Sequence, residues 1–589
     1  MDLPLRRYWD LLLKYLKPLK LKVALLTLLI FSSIGLQLTN PQVIRYFIDT
    51  AVAGGDDQSL LRAALIFLGL SLLLQFVSVM ATYVGADLGW QTTNRLRADL
   101  ARHCLKLDLS FHNDHTPGEM IERIDGDVAE IAMFFTQFVI HILANLLLLL
   151  GVLLILIPEN WRISLALALF SLIAMAGLSY IRQVAVPHWK AARQAHADLF
   201  GFLEERLAGT EDIRSSGAVT YTIAHLFNFN HRRLETELKG ETMANLMAWM
   251  WFGVHTLGLI VAFVVSYTLF QAGALTLGSV YLVIHYTTLI FRPLAEISGQ
   301  LQQVQKAVAS IGRVETLFSL KSKIGRQGQR ALPAGPLAVT FDQVTFGYAA
   351  ELPVLQQISF HLEPGQVLGL LGRTGSGKTT LARLLFRLYE PTGGVIRLGI
   401  GGNRRDIRDF SLEHLRRHIG LVTQEVQLFQ ATVRDNLTFF DRTIPDSAIL
   451  QVIDELELAG WYGSLAEGLD TVLEARGSNL SAGEAQLLAF ARVFLKNPGL
   501  VILDEASSRL DPVTEQRLER AMDRLLQDRT AIIVAHRLST VHHADHIMII
   551  EAGQVQEFGS YNDLAADPTS RFYRLLQLGL EEVQYEFPG

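Results

Sequence analysis

From Thr242 to Phe291 the chain contains no Asp, Glu, Lys or Arg. A bilayer core is crossed by about 20 helical residues, so this stretch is too long for one crossing and predicts two. Backbone groups inside lipid have no water to bond, so the crossings are helices. The split falls at Gln271 to Gly278, where Gly273 and Gly278 interrupt the apolar pattern. Four further spans precede the pair: Val23 to Phe47, Ala63 to Ala86, Ile131 to Pro158 and Ile163 to Ile181. Only the first carries a charge, Arg45, near its far end. A buried soluble helix explains one such span, but not six. Half of the 589 residues are hydrophobic and the mean hydropathy is +0.27, with the apolar content concentrated in the first half.

The loops set an orientation. Ala51 to Gln58 and Gln271 to Gly278 lack Lys and Arg, and Pro158 to Arg162 has one. The stretches between spans two and three and between spans four and five are long and basic, with Arg95, Arg97, Lys190, Arg206 and Arg232 among others. The positive-inside rule places them, and both termini, in the cytoplasm of a multi-pass inner or plasma membrane protein. These stretches also look helical, so spans two to five are expected to continue beyond the bilayer. Residues 1–20 read equally well as an amphipathic helix on the membrane surface or as an ordinary solvated helix. Met1 to Lys22 is basic but has no clear cleavage site, so no removed leader is expected. The net charge of −6 and pI near 6.3 give no nucleic-acid surface. A single cysteine, Cys104, excludes an intrachain disulfide and reads as packing.

The second half is organised around Leu362 to Leu381. Val367 to Leu371 reads as a buried strand, Gly372-Arg373-Thr374-Gly375-Ser376-Gly377-Lys378-Thr379 follows at once, and Thr380 to Leu385 has helical spacing. That is a P-loop in its expected setting. Glycines bring several N–H groups close to one anion, and the helix N-terminus adds partial positive charge. Lys378 reaches the β- and γ-phosphates of ATP, and the Thr379 hydroxyl ligates Mg²⁺. Val501 to Leu503 is an apolar strand that ends in Asp504 and Glu505. After a P-loop it reads as the strand whose first acid holds the Mg²⁺ shell and whose second polarises the attacking water. Ser481 precedes a helical pattern from Ala485 to Arg492, and its plain reading is an N-cap. With Gly483 it also makes a helix start able to bind phosphate.

Taken together, these motifs resemble the ATP-binding cassette (ABC) exporters, in which a half-subunit joins six spans to one nucleotide-binding domain. The resemblance covers essentially the whole chain. It implies an α-helical polytopic membrane domain followed by an α/β P-loop ATPase domain: residues 1–20 an N-terminal helix, 21–319 the membrane domain, 320–336 a linker and 337–589 the ATPase. It implies that Tyr348 stacks on adenine, that Thr380 belongs to the ATP contacts, and that Gln424 touches Mg²⁺ and faces the membrane domain. Leu480 to Glu484 matches the family signature, Ser508 to Asp511 the D-loop, and His536 the histidine that contacts the γ-phosphate. Phe111 to Glu119 and Gly209 to Gly217 resemble the two coupling helices, or are polar turns.

Three departures stand out. Ala482 replaces a usual glycine, Glu484 and Ala485 replace Gln and Arg, and Arg509 replaces a smaller D-loop residue. In this family the P-loop of one subunit is completed by the signature of another, so the chain is expected to pair. The altered signature inclines that reading toward a heterodimer with a second half-transporter rather than a homodimer. The expected activity is ATP-driven export, by alternating access, of a small apolar or amphipathic molecule, lipid or drug-like, from the cytoplasmic side of the lipid bilayer. An ATP-gated channel or a regulatory ABC subunit is the alternative; intact Glu505 and the lack of room for a regulatory insertion argue against the channel. Span three offers Gln137, His141 and Asn145 on one helical face, and His255 and His285 read as packing residues.

Overall fold

The computed structural model describes residues 13–137, 142–299, 301–325, 328–349, 352–423, 425–474, 480–504, 512–535 and 538–585. The chain divides into two compact units. One comprises Met1–Leu105 and Pro117–Leu320; the other comprises Lys106–Thr116 and Lys321–Gly589.

The first unit is built of long helices: α1 (Lys20–Val52), α2 (Asp57–Leu105), then, past Thr116, α3 (Val128–Gln137), α4 (Ala144–Leu156), α5 (Trp161–Ala208), α6 (Val219–Gln271), α7 (Leu277–Gly299) and α8 (Leu301–Ser319). Among the described residues, four helical stretches are long and apolar enough to cross a membrane: Leu13–Val52, Asp57–Leu105, Trp161–Ala208 and Val219–Gln271. α2, α5 and α6 have 49, 48 and 53 residues. At 1.5 Å per residue each exceeds a bilayer core by half its length or more. The third expected span is made of shorter pieces, α3 and α4, and residues 138–141 between them lie outside the described set. α6 stops at Gln271 because Gly273 takes a left-handed φ of 69°, and α7 resumes at Leu277.

An apolar core joins α4, α5, α6 and α7 through Val152, Leu167, Ala262, Leu282 and Tyr286. Polar side chains near it bond one another. The Arg45 guanidinium bonds Glu159; Glu159 also accepts from Ser279 (3.1 Å), and Asp49 accepts the Gly278 amide at 2.8 Å. In α7, Arg292 donates to Glu296 (3.2 Å) and Asn145 donates to the other oxygen of Glu296 (2.6 Å). His255 packs edge-on against Phe291, with centroids 4.3 Å apart, and His285 lies 3.4 Å from the Tyr281 hydroxyl.

The second unit carries two sheets. A four-stranded antiparallel sheet has β1 (Ala338–Phe346) between β2 (Leu355–Leu362) and β4 (Gly393–Ile400), with β5 (Asn403–Asp406) outside β4. The other sheet has the order β10–β9–β3–β8–β7–β6. Here β3 is Val367–Leu371, β6 Ile419–Val422, β7 Leu500–Asp504, β8 Thr530–Val534, β9 His546–Glu551 and β10 Gln554–Ser560. Strands β6, β7, β8, β3 and β9 run parallel. Their residues read as continuous apolar runs because parallel sheets are covered on both faces. All five residues of β3 and of β8 are buried.

Candidate ATP site and coupling segment

Parallel strands deliver their carboxyl ends to one edge, where ligands of open α/β sheets bind. Leu370 pairs with Val534, and Val534 with Asp504. One row across the sheet therefore leads to the Gly372 loop, to Ala535 and to Asp504. The loop turns through three left-handed glycines, Gly372, Gly375 and Gly377, at φ 150°, 83° and 108°. A Cβ on Gly372 would overlap the Ile550 carbonyl oxygen, and one on Gly377 would overlap Leu355. Close backbone approach excludes side chains there.

Gly377 starts helix α9 (Lys378–Leu385). Lys378 is 5% exposed, and its ammonium donates to the loop carbonyls of Gly372 (2.6 Å) and Arg373 (3.2 Å). Thr380 and Ser376 are equally buried, and the Ser376 hydroxyl has no hydrogen-bond partner among the described residues. A buried polar group without a partner needs a reason. A cradle of amide groups, a lysine folded across it and an orphaned hydroxyl at a helix N-terminus together fit a bound phosphate chain. Tyr348 is half exposed; Arg383 donates to its hydroxyl (3.1 Å), which is also bonded to Thr380 (3.1 Å), so the ring is held at the rim of the P-loop helix.

Ser481 caps helix α10 (Ala482–Lys496). Its hydroxyl oxygen accepts the Glu484 amide at 3.2 Å, and the Glu484 carboxylate accepts the Ser481 amide at 2.8 Å. The unusual Glu484 thus completes a capping box, a Ser-x-x-Glu signal present in the sequence that the N-cap reading used only in part. Gly483 is buried against Thr514, where a Cβ would overlap that side chain. Gln424, Glu505, Asp511 and His536 lie outside the described residues, as do Ser508, Arg509 and Leu510. Their described neighbours Thr423, Asp504 and Ala535 stand at the ends of β6, β7 and β8.

A groove of about 1030 Å³ beside α10 is lined by Arg416, Arg417, Phe429, Phe439, Arg492 and Lys496. Phe439 and Phe440 hold consecutive left-handed φ of 50° and 66°, uncommon for bulky side chains. The Arg492 guanidinium lies 4.5 Å above the Phe439 ring. Burial pulls the Lys496 ammonium down to about 8. Nothing in the residue pattern announces this groove, since its walls come from segments some 80 positions apart.

The segment Lys106–Thr116 groups with the ATPase unit. It holds the helical turn Leu109–Asp114, capped by Asp108. Asp108 accepts from Ser110 (2.6 Å), and its other oxygen accepts the Lys323 amide (2.6 Å). Burial alone would raise the Asp108 carboxyl, but the Ser110 hydroxyl and the amides of Lys323 and Phe111 outweigh it and hold the group below its usual value. The polar composition of residues 320–336 predicts a linker, and within it Gly325 is held on both sides of its backbone. Its amide bonds Glu390 (3.3 Å) and its carbonyl accepts from Arg387 (2.6 Å).

Comparison with known proteins agrees with both units. Residues 23–294 match the family described as ABC transporter transmembrane region, and residues 355–508 match that described as ABC transporter. An ATP-dependent lipid A-core flippase of Chromobacterium violaceum is 30% identical over 578 residues, covering 96% of each chain. A putative multidrug export ATP-binding/permease protein of Bacillus subtilis is 30% identical, covering 94% of this chain and 96% of its own length. A solved bacterial Atm1-family ABC exporter with ATP bound superposes with a TM-score of 0.77 at 25% identity, covering 95% of this chain and 98% of that one.

Proposed function

This chain belongs to the ABC transporters and is an ATPase of the exporter type, with membrane and ATPase domains in one polypeptide; from that premise we propose that it is one half of a dimeric exporter of apolar or amphipathic molecules. The observation that carries the reading is the orphaned Ser376 hydroxyl beside Lys378 in a chain whose other half is long apolar helices.

In this reading the Gly372–Gly377 amides and Lys378 hold the β- and γ-phosphates, and Tyr348 stacks on adenine. Thr379, Gln424 and Asp504 would hold Mg²⁺, which would supply positive charge to offset that of the phosphates. Glu505 orients the attacking water, and His536 contacts the γ-phosphate. Ser481 and Gly483 serve the P-loop of the opposite subunit, with Asp511 at the seam. ATP favours the closed pair of ATPase units, and that differential affinity shifts the membrane domains outward. In this reading the ATPase unit and both termini face the cytoplasm, which the distribution of Lys and Arg supports.

The substrate class follows from charge. Intramembrane charges tend to mark the path of charged substrates. Here Arg45, Glu159, Arg292 and Glu296 are engaged with one another or with Ser279 and Asn145. The relatives named as a lipid A-core flippase and as a putative multidrug export protein support the same class. In nanodiscs, lipids or lipophilic cations should stimulate ATP hydrolysis; stimulation by hydrophilic peptides or sugars alone would sink the assignment. The altered signature favours a different second chain, and the mass of the complex formed when this chain is expressed alone decides it. A stable, active dimer of one polypeptide rejects the heterodimer.

A further inference from the structure

The P-loop helix α9 has a second functional end. Beyond Leu385 the chain turns through Arg387, which is 2% exposed and left-handed at φ 50°, and reaches Tyr389, which is 8% exposed. The Tyr389 hydroxyl accepts from the Asn113 side chain at 2.7 Å. Its ring stands edge-on to Tyr348, with centroids 5.1 Å apart and planes at 85°, and 5.5 Å from Phe346. Tyr348 is in turn bonded to Thr380 and Arg383 of α9. A cavity of about 370 Å³, lined by Ser110, Asn113, Asp114, Phe346, Tyr348 and Tyr389, opens at this junction. Its size is within the range of small-molecule sites, about 300–1,000 Å³.

We propose that Tyr389 is a positioning residue that transmits occupancy of the ATP site to the segment Lys106–Thr116. The proposal rests on the reading of Tyr348 as the adenine platform. A base stacked on Tyr348 fixes a ring that now has an open face, and Tyr389 packs edge-on against that ring. Aromatic pairs have preferred geometries, so fixing the first ring restricts the second. Tyr389 cannot shift without stretching its bond to Asn113, and losing a hydrogen bond at a largely buried side chain costs free energy. The same turn reaches the main chain that arrives from α8, through Arg387 and Glu390 on Gly325. Phosphate at one end of α9 and the base beside it therefore bear on one turn, which grips the segment joining α2 to the chain beyond Pro117. By reciprocity, a displacement of Lys106–Thr116 alters ATP affinity by the same factor.

Hydrogen exchange of the full-length protein in nanodiscs, with and without ATP and without Mg²⁺, tests this. In wild type, ATP should slow exchange in peptides covering 372–385 and 106–116, the latter roughly tenfold, within the usual 5–150-fold range of couplings. Tyr389→Phe keeps the ring and removes the hydroxyl. It should keep the ATP effect at 372–385, leave the KM for ATP within about twofold, and abolish the effect at 106–116. Asn113→Ala should do the same, and the double variant should be no worse than either. A purely structural role would change exchange without ATP and leave the ATP-dependent difference in place. Retention of that difference at 106–116 in Tyr389→Phe, or its absence there in wild type while 372–385 responds, overturns the relay alone. No ATP effect at 372–385 in wild type overturns the ATP site and the relay together.

Discussion

The two units bury their polar groups by opposite rules. In the ATPase unit, β3 and β8 are wholly buried, and chemistry is confined to the loops at the strand ends. In the membrane unit large apolar side chains face outward: Leu72, Phe76, Leu154 and Leu172 are each more than 60% exposed. There the polar side chains turn inward and bond one another. Water drives apolar groups inside the first unit, whereas in lipid apolar exposure costs nothing and an unpaired charge costs most. Function therefore has to be sought in different places. In the ATPase unit it lies at the strand ends, where the buried Ser376 hydroxyl has no partner among the described residues; in the membrane unit it lies along long apolar helices.

The largest expected effect breaks this comparison on the ATPase side. Glu505→Gln should bind ATP normally and lose about 10²–10⁴ in turnover, since the carboxylate orients the water and the amide does not. Lys378→Ala should instead weaken ATP binding itself. Phosphate release and nucleotide binding by the purified variants separate the two, and near-normal turnover in Glu505→Gln would defeat its assignment.

A sharper contrast lies within the loop. Gly372→Ala meets the Ile550 carbonyl, whereas Gly375→Ala meets nothing within 4 Å and carries only the strain of its positive φ. Left-handed strain costs about 1–3 kcal/mol, so Gly375→Ala should lower the melting temperature by a few degrees and keep ATP binding. Gly372→Ala should displace the cradle and lose binding. Equal ATP affinities would show that close backbone approach at Gly372 does not shape the site.

The smallest effect concerns Lys496. Its folded value of about 8 lies below the usual 10.5 because of burial. Between those values the unfolded chain holds more protons, so the group adds stability as pH rises through that window and withdraws it as pH falls toward 8. Lys496→Met should flatten this part of the stability–pH curve for the ATPase unit. An unchanged slope would mean that the ammonium is solvated in the groove.

Much of the ATPase unit was legible because its motifs are contiguous. Gly372 to Thr379, Val501 to Asp504 and the Ser481 cap each carry their geometry in a few neighbouring residues. The split at Gln271 to Gly278 was legible for the same reason. Tyr389, Asn113 and Gly325 were not, because their meeting depends on segments more than 60 positions apart. Polar composition suggested a linker at 320–336, and only the tertiary bonds to Arg387 and Glu390 show that Gly325 within it is held. The pairing of Arg292 with Glu296 follows from their four-residue spacing, but Asn145 joining them comes from another helix.

The central claim is that ATP binding at Lys378 drives an amphipathic molecule through the membrane unit. Transport of a fluorescent lipid or lipophilic cation in proteoliposomes, with ATP supplied on the ATPase side, tests it most directly. Movement that requires ATP and disappears in both Lys378→Ala and Glu505→Gln is the predicted result. Intact hydrolysis with no ATP-dependent movement of any amphiphile, or movement that persists in Lys378→Ala, would contradict it.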